Sequence, residues 1–330
     1  MISAVPPSWR GEFTAEADLV EEILRLRGFD NIPTEPLPRV ASLTRPALTP
    51  RRRRIGLVRR VLAARGLNEA VSWSFMSSAL AERFGAVPTE LRLINPISAE
   101  LDVMRPSILG NLIQAAGRNA DRGHPDLGLF EIGPTYRGAK PEDQDMVAAG
   151  IRAGTALPRH WSTGAARAET LTTPRDALAT LEAAGAPTAN LQITSDAPNW
   201  YHPGRSGVLR LGPTILGRFG EIHPDLLEAV GVKGPVVGFE ILLDAAPQPK
   251  KKTGTARPML KLAPFQPVVR DFAFVVDQAV EADRILRAAK NADKNLIKDV
   301  SVFDVYQGPG VDSGKKSVAI NITLQPIEKL

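Results

Sequence analysis

Hydrophobic positions repeat along this chain with two periods, and each period predicts a different kind of element. A spacing of three to four residues is typical of amphipathic helices, whereas alternation is typical of half-buried strands. The helical period predicts helices in residues 14–28, 51–66, 105–123 and 281–292. Alternating runs, separated by Gly-Pro and other turn residues, predict strands in residues 69–75, 127–138, 206–222, 235–243, 270–277, 297–308 and 315–325.

The order of these elements predicts an α+β fold. In the middle of the chain, strands follow one another through turns while helices stand apart, which favours a mainly antiparallel sheet. The last part reads β-α-β-β, the first two-thirds of a ferredoxin-like β-α-β-β-α-β unit. Its second helix and fourth strand do not follow before Leu330. We therefore expect a ferredoxin-like domain that is truncated, with part of a core face and a sheet edge exposed.

Proline, glycine and charge divide the chain into parts. "NIPTEPLPR" forbids a continuing helix, because it places three prolines within six residues. "AAPQPKKKTGTARP" is polar, basic and rich in Pro and Gly, which is typical of a linker. The predicted division is a first segment at 1–38, a large middle module at 45–246, a linker at 247–258 and a last domain at 259–330.

Composition excludes several classes of protein. The 330 residues are 43% hydrophobic and 23% charged, as in soluble globular proteins. No apolar run approaches a membrane span, the N-terminus has no signal-peptide pattern, and there is no cysteine. We expect a cytoplasmic protein without disulfides, thiolate nucleophiles or a membrane partner. The net charge of +5 permits a nucleic-acid partner without requiring one. The arginine run at 49–60 predicts the solvated face of a helix whose inward side chains are Ile55, Leu57, Val58, Val61 and Leu62.

Five carboxylates crowd into the first predicted helix and the residues before it. Asp18, Glu21 and Glu22 lie at i, i+3 and i+4, so they share one surface, and Glu12 in the entry loop can reach it. Acids near a helix N-terminus favour its dipole, which explains Glu16 and Asp18. Glu22 is explained less well, because it repels Asp18. The alternative is a hard divalent cation such as Mg²⁺ held by oxygen ligands.

Sequence motifs for common catalytic sites are missing. There is no P-loop, no Rossmann Gly-x-Gly-x-x-Gly and no Gly-x-Ser-x-Gly hydrolase elbow. Three of the four histidines precede proline, and none pairs with another ligand at metal spacing. We interpret them as loop or capping residues.

Three stretches, in order, resemble the β subunit of bacterial phenylalanyl-tRNA synthetases. "PPSWRGEFTAEADLVEEILRLRGFDNIP" is similar to the second half of its B5 domain. "INPISAELDVMRPSILGNLIQAAGRNADRGHPDLGLFEIGPTY" resembles its catalytic-like class II synthetase module, and "VVRDFAFVVD…VFDVYQG…KKSVAINITLQ" resembles its anticodon-binding domain. The resemblance implies a partial B5 domain, an antiparallel class II-like module and a truncated ferredoxin-fold domain. It also implies that this chain is an internal fragment of a longer subunit.

The resemblance implies a metal site and a division of labour. In the family, Mg²⁺ sits on the B5 helix near the α subunit, which implies the ligands Glu12, Asp18, Glu21 and Glu22; the family usually has Asp where Glu12 stands. The class II Gly-x-Gly-x-x-Arg segment is absent, and Phe130-Glu131 stands where the ATP-binding arginine is sought. We therefore expect no catalytic residue here. ATP would be bound by the α subunit.

The function so implied is that of a non-catalytic subunit of phenylalanine–tRNA ligase. It would bind an α subunit, in an α2β2 tetramer, together with tRNA(Phe). The alternatives are a free-standing RNA-binding or regulatory protein and a purely structural oligomerisation module. Ferredoxin-like sheets commonly bind RNA loops through stacking and phosphate contacts. Beside Phe303, which alternation assigns to the core, and Tyr306, the candidate RNA-binding residues are Lys290, Lys294, Lys298, Lys315 and Lys316.

Overall fold

A computed structural model of the chain describes residues 3–37, 46–162, 164–167, 172–188, 191–247, 259 and 262–326. It divides into two compact units, Met1–Thr49 and Pro50–Leu330. The predicted linker lies outside the described residues, except for residue 247. Within the described ranges, every helix is too short or too polar to cross a membrane.

Helices form where apolar residues repeat at helical spacing. All four helices predicted from periodicity are confirmed, and three further ones were not predicted. The third of the predicted helices begins at Leu109, later than expected, because Pro106 precedes it. The helices are α1 (Glu16–Arg27), α2 (Pro50–Ala64), α3 (Ser78–Ala81), α4 (Leu109–Ala120), α5 (Thr172–Ala183), α6 (Pro224–Ala229) and α7 (Ala282–Ala292).

Most strands belong to one large sheet in the middle of the chain. Its order is β1-β4-β5-β11-β10-β9-β8, and only the β1–β4 pair is parallel. The predicted, mainly antiparallel sheet is therefore confirmed. The strands are β1 (Asn68–Glu69), β2 (Phe75–Met76), β3 (Val103–Met104), β4 (Leu127–Tyr136), β5 (Gln144–Ala153), β6 (Thr155–His160), β7 (Gly164–Arg167), β8 (Gln192–Thr194), β9 (Tyr201–Leu211), β10 (Thr214–Ile222), β11 (Val236–Leu242), β12 (Val268–Asp277), β13 (Ile297–Tyr306) and β14 (Lys315–Leu324).

Helices cover both faces of this sheet. On one face α2 and α5 pack against it through Val58, Leu62 and Leu181, all fully buried. On the other face α4 contributes Leu109 and Leu112 to a second core, to which α3 and α6 also belong. The module is thus a three-layer structure, and the central strands β5 and β11 are buried on both faces.

The arginine run of α2 is only partly a solvated face. Ile55, Val58 and Leu62 are buried as predicted, but Leu57 is exposed and Arg54 is buried. The Arg54 guanidinium enters the interior because its Nη atoms donate hydrogen bonds to the carbonyl oxygens of Leu243, Ala246 and Pro247. These bonds compensate the cost of burying the charge.

The last part of the chain is a β-α-β-β unit, as predicted. Its sheet has the order β12-β14-β13, and α7 packs on one face over Val318, Ile320 and Ile322. Phe272 and Phe274 lie on this same face and remain partly exposed, because α7 covers only part of it. The expected exposure of part of a core face is therefore confirmed among the described residues.

The first unit has almost no interior of its own. Among its described residues, no side chain of α1 is buried, and Val20, Ile23 and Leu26 on the apolar face are exposed. The sequence pattern predicts a helix that begins at Thr14. The structure places the cap at Ala15, because the Asp18 carboxylate accepts hydrogen bonds from the backbone N–H groups of Thr14 and Ala15.

Candidate functional site

The acidic residues of α1 are neutralised by arginines. Arg10 forms ion pairs with both Glu12 and Glu22, and its guanidinium lies 4.4 Å from the centre of the Phe13 ring. Arg25 also binds Glu22. The Arg10 guanidinium lowers the pKa of Glu22, with Arg25 adding to the effect, and it lowers the pKa of Glu12. Arginine side chains therefore neutralise part of the negative charge that the sequence concentrates in α1 and the residues before it.

In the structure, Glu12 and Glu22 both bind the Arg10 guanidinium, but the four predicted metal ligands are not brought together. Asp18 is occupied at the helix N-terminus, where the Thr14 and Ala15 backbone bonds lower its pKa. Across the described residues, no group of three or more Asp, Glu or His side chains is arranged to hold a metal ion. Carboxylates suit Mg²⁺ chemically, but in this arrangement Arg10 takes up two of them. The metal site at Glu12, Asp18, Glu21 and Glu22 remains a prediction.

A buried ion pair joins the first strands of the large module. Arg105 Nη1 lies 2.8 Å from Glu131 Oε1, and both residues are almost fully buried. Arg105 also donates hydrogen bonds to Ser72 Oγ and to the Pro134 carbonyl, while Ser72 Oγ donates to the second oxygen of Glu131. No pattern in the sequence predicted this pair, because its members lie 26 positions apart and only the fold brings them together.

The glycine of the "FEIG" segment is needed beside this ion pair. A Cβ atom at Gly133 would lie 2.5 Å from Arg105 Nη2, closer than any van der Waals contact. Glu131 therefore serves to hold the buried Arg105. The carboxylate of this segment is already paired with a buried cation.

An exposed apolar surface lies over this ion pair. Trp73 and Val71 are 63% and 91% exposed, and the Trp73 ring stacks near Phe75 with ring centres 6.5 Å apart. Together with Ser98, Leu101 and others they line a cavity of about 520 Å³. We call Val71, Trp73 and this cavity the Trp73 surface. Ile94 and Ile97, in the adjoining loop, are also exposed. Neighbouring exposed aromatic and aliphatic side chains of this kind occur at protein interaction sites.

Asn111 of α4 fixes the backbone beneath the Trp73 surface. Its Nδ2 donates to the carbonyl oxygens of Trp73 and Phe75, at 3.3 Å each. Its Oδ1 is buried and has no hydrogen-bond partner in the described part of the chain. A donor from a bound partner could satisfy that oxygen, because Asn111 also lines the cavity.

A second cavity, on the same face of the large sheet as α4, contains a buried carboxylate. Glu240 on β11 is 5% exposed, and its Oε1 accepts a hydrogen bond of 2.6 Å from Ser107 Oγ. Burial raises the pKa of Glu240, although Ser107 and the nearby Arg218 oppose the shift. The cavity has a volume of about 480 Å³.

Glu240→Gln is expected to stabilise the protein at neutral pH by about 1–3 kcal/mol, because the amide avoids the cost of burying a charge. The folded-state pKa of Glu240 is raised, so its contribution to stability is complete below the unfolded-state pKa. That contribution is lost as the pH rises through the folded-state value. Urea unfolding at pH 5 and pH 8 should give a larger difference between variant and wild type at pH 8. An equal difference at both pH values would contradict this explanation.

The five lysines predicted to bind RNA do not form one cluster. Lys290, Lys294 and Lys298 lie where α7 ends and β13 begins. Lys315 and Lys316 begin β14, whose far end pairs with the start of β13. The two groups are separated by roughly 23 Å along the sheet, at about 3.3 Å per residue. Lys315 Nζ already lies 3.0 Å from Asp312.

The open face of the small sheet, opposite α7, is more acidic than the lysines alone suggested. The strand register places Asp271, Asp299 and Asp304 on that face, where Asn321 donates a hydrogen bond to Asp271. Phe303 is 58% exposed, so its assignment to the core was wrong. A β-bulge between Val302 and Asp304 shifts the alternation there and turns Phe303 outward. RNA phosphates are better accommodated at the lysine-bearing ends of the sheet.

His202 and His223 act as local caps, in agreement with their interpretation from the sequence. His223 Nδ1 accepts the backbone N–H of Asp225 at the start of α6. His202 accepts the N–H of Gly204 in the same way.

The fold and these sites define an α+β protein with a large, mainly antiparallel module, a buried arginine–glutamate pair and a ferredoxin-like unit. Residues 32–243 match the family model of the phenylalanyl tRNA synthetase beta chain CLM domain. Residues 263–330 match that of the ferredoxin-fold anticodon binding domain. The chain belongs to the phenylalanyl-tRNA synthetase beta-chain family.

Curated relatives agree with the family models. The chain is 56% identical to the phenylalanine–tRNA ligase beta subunit of Rhodospirillum rubrum over 98% of its length, and equally to that of Paramagnetospirillum magneticum. It is 51% identical to the one from Rhodopseudomonas palustris over its whole length. It spans about 40% of the length of these relatives. A solved pyrrolysyl-tRNA synthetase from Desulfitobacterium hafniense is 16% identical to this chain, and the match covers 69% of this chain and 73% of the synthetase. Its TM-score of 0.45 is too low to add to the assignment.

Proposed function

We propose that this chain is the non-catalytic part of a phenylalanine–tRNA ligase that binds an α subunit and tRNA(Phe). The observation that carries the proposal is the order of two family matches in one chain, a synthetase beta-chain module followed by an anticodon-binding domain. The large module would keep a class II synthetase arrangement, and residues 1–38 would be the second half of a B5 domain. The exposed apolar face of α1 supports this, because half a domain leaves its core uncovered.

The chemistry of the ligase would belong to the α subunit. In this chain, α4 packs on one face of the sheet and Glu131 is bound to Arg105, so neither supplies a phosphate site. Given ATP, phenylalanine and pyrophosphate, the chain alone should give no exchange above background. Mixed with an α subunit, it should co-purify in a hetero-oligomer, which we propose to be α2β2. Exchange by this chain alone would overturn the assignment, and tRNA binding without any α association would favour the free-standing alternative.

We propose the Trp73 surface as the contact for the α subunit. The relatives of this chain are named beta subunits, which implies an alpha partner. The surface exposes aromatic and aliphatic side chains around a cavity, and aromatic residues are enriched at the centres of protein interfaces.

Mg²⁺ would bind the α1 carboxylates only after Arg10 releases them. Arg10→Ala is therefore expected to strengthen the binding of Mn²⁺, a spectroscopic substitute for Mg²⁺, severalfold, because it removes the cation that competes for Glu12 and Glu22. Electron paramagnetic resonance of Mn²⁺ titrated into the chain measures this. Glu22→Gln should weaken binding, and Glu16→Gln, whose carboxylate lies outside the proposed set, should not. Absence of saturable binding in both wild type and Arg10→Ala would reject the site.

RNA binding would depend mainly on phosphate neutralisation and would weaken steeply as salt rises. Lys315→Ala with Lys316→Ala should lower the slope of log affinity against log salt by about two, because each lost phosphate contact reduces it by about one. The triple variant of Lys290, Lys294 and Lys298 tests the other end of the sheet. Titration of the tRNA(Phe) anticodon stem-loop at several salt concentrations is the measurement, with exposed Lys233→Ala as the control. Binding independent of salt, or unchanged in both sets of variants, would contradict the proposal.

A further inference from the structure

The Glu240 cavity is built from strand side chains and the loops beside them. Arg218 on β10 and Glu240 on β11 line its floor, and Phe84, Trp200 and Leu242 line its apolar wall. The rings of Phe84 and Trp200 lie 5.7 Å apart. At about 480 Å³ the cavity has the size of a small-molecule pocket.

Two side chains of opposite charge, Arg218 and Glu240, line this cavity without forming an ion pair in the described residues. The two residues are direct partners in the β10–β11 register. Glu240 has one hydrogen bond, from Ser107. The half-buried Arg218 side chain makes no hydrogen bond in the part of the chain that the structure describes. Arg137 and Asp145 at the same cavity are, by contrast, paired at 2.6 Å.

Holding these charges apart is costly in the absence of a ligand. A buried carboxylate with a single donor and a half-buried guanidinium without an acceptor both lose hydration that the protein does not replace. A molecule that carries both an anionic and a cationic group would supply the missing partners at once. A simple anion would satisfy Arg218 but would lie against the carboxylate of Glu240.

We propose that this cavity binds a small zwitterion with an apolar side chain, its carboxylate on Arg218 and its ammonium group on Glu240. The apolar part of the ligand packs against Phe84, Trp200 and Leu242. The Arg218 guanidinium can take a carboxylate with two parallel hydrogen bonds, which also fixes the orientation of the ligand. This ligand site is independent of the α-subunit and tRNA contacts proposed above.

The test is calorimetric titration of the 330-residue chain with three probes: L-leucine, N-acetyl-L-leucine and L-leucinamide. L-leucine should bind saturably, and each of the other two should bind at least about tenfold more weakly, because each lacks one of the two charged groups. Glu240→Gln should abolish the preference for L-leucine over N-acetyl-L-leucine. Arg218→Gln should abolish the preference over L-leucinamide, and Arg270→Gln, a surface arginine of the small sheet, should leave both preferences intact.

These patterns separate a lost site from a lost fold. Circular dichroism shows whether Arg218→Gln unfolds the chain. If it does, the result of Glu240→Gln decides the test, because this variant keeps the shape of the side chain and the Ser107 hydrogen bond. Equal binding of the three probes by wild type, or no binding of L-leucine at millimolar concentration, would overturn the proposal. So would a preference for L-leucine that survives Glu240→Gln.

Discussion

Arg105→Met is expected to lower the free energy of unfolding by about 3–5 kcal/mol, since it leaves the buried Glu131 carboxylate without its cation. The variant also removes the donor to the Pro134 carbonyl and the donor to Ser72 Oγ. Urea unfolding followed by circular dichroism measures the loss. This is the largest stability effect that we expect from a single substitution in the large module.

A double variant distinguishes the charge from the packing. Arg105→Met combined with Glu131→Leu removes both charges and should recover most of the loss, because well-packed apolar residues often replace a buried ion pair at little cost. Arg92→Met breaks the exposed ion pair with Glu82 and should cost no more than about 1 kcal/mol. If Arg105→Met costs as little as Arg92→Met, the ion pair does not hold β4 in place.

Trp73→Ser is expected to weaken binding of the α subunit by about 30-fold or more, because buried tryptophans at interface centres contribute at least about 2 kcal/mol. Surface plasmon resonance with immobilised α subunit measures the affinity. The folded chain should tolerate the change, since the Trp73 side chain is 63% exposed and only its carbonyl oxygen is used internally.

Trp161→Ser provides a matched control for the Trp73 variant. Trp161 is 92% exposed and lies in the turn between β6 and β7, remote in sequence from the Trp73 surface. Its replacement removes an equally large apolar side chain and should leave the affinity unchanged. Equal losses from both tryptophans would indicate non-specific adhesion, and no loss from Trp73→Ser would reject the Trp73 surface as the contact.

The periodic patterns predicted the elements well, because they depend on residues that are close in sequence. The apolar stripe of 281–292 became α7, and the alternation in 297–308 and 315–325 became the paired strands β13 and β14. The helix α5 was missed. It follows residues of mixed polarity, and its buried face uses small residues such as Ala177, which are weak signals of periodicity.

The polar interior could not be predicted from the sequence. The Arg105–Glu131 pair, the Arg54 bonds to distant carbonyl groups and the Glu240 cavity all depend on residues that only the tertiary fold brings together. The acidic helix shows the same limit. Its spacing placed carboxylates on one surface, but Arg10 and Arg25 decide how Glu22 is bound in this structure.

The central claim is that this chain associates with an α subunit, and native mass spectrometry of the two co-expressed chains tests it most directly. We predict a species whose mass contains both subunits in equal number and which dissociates in the Trp73→Ser variant. A chain that remains at its own mass of 35.6 kDa in the presence of a folded α subunit would contradict the account.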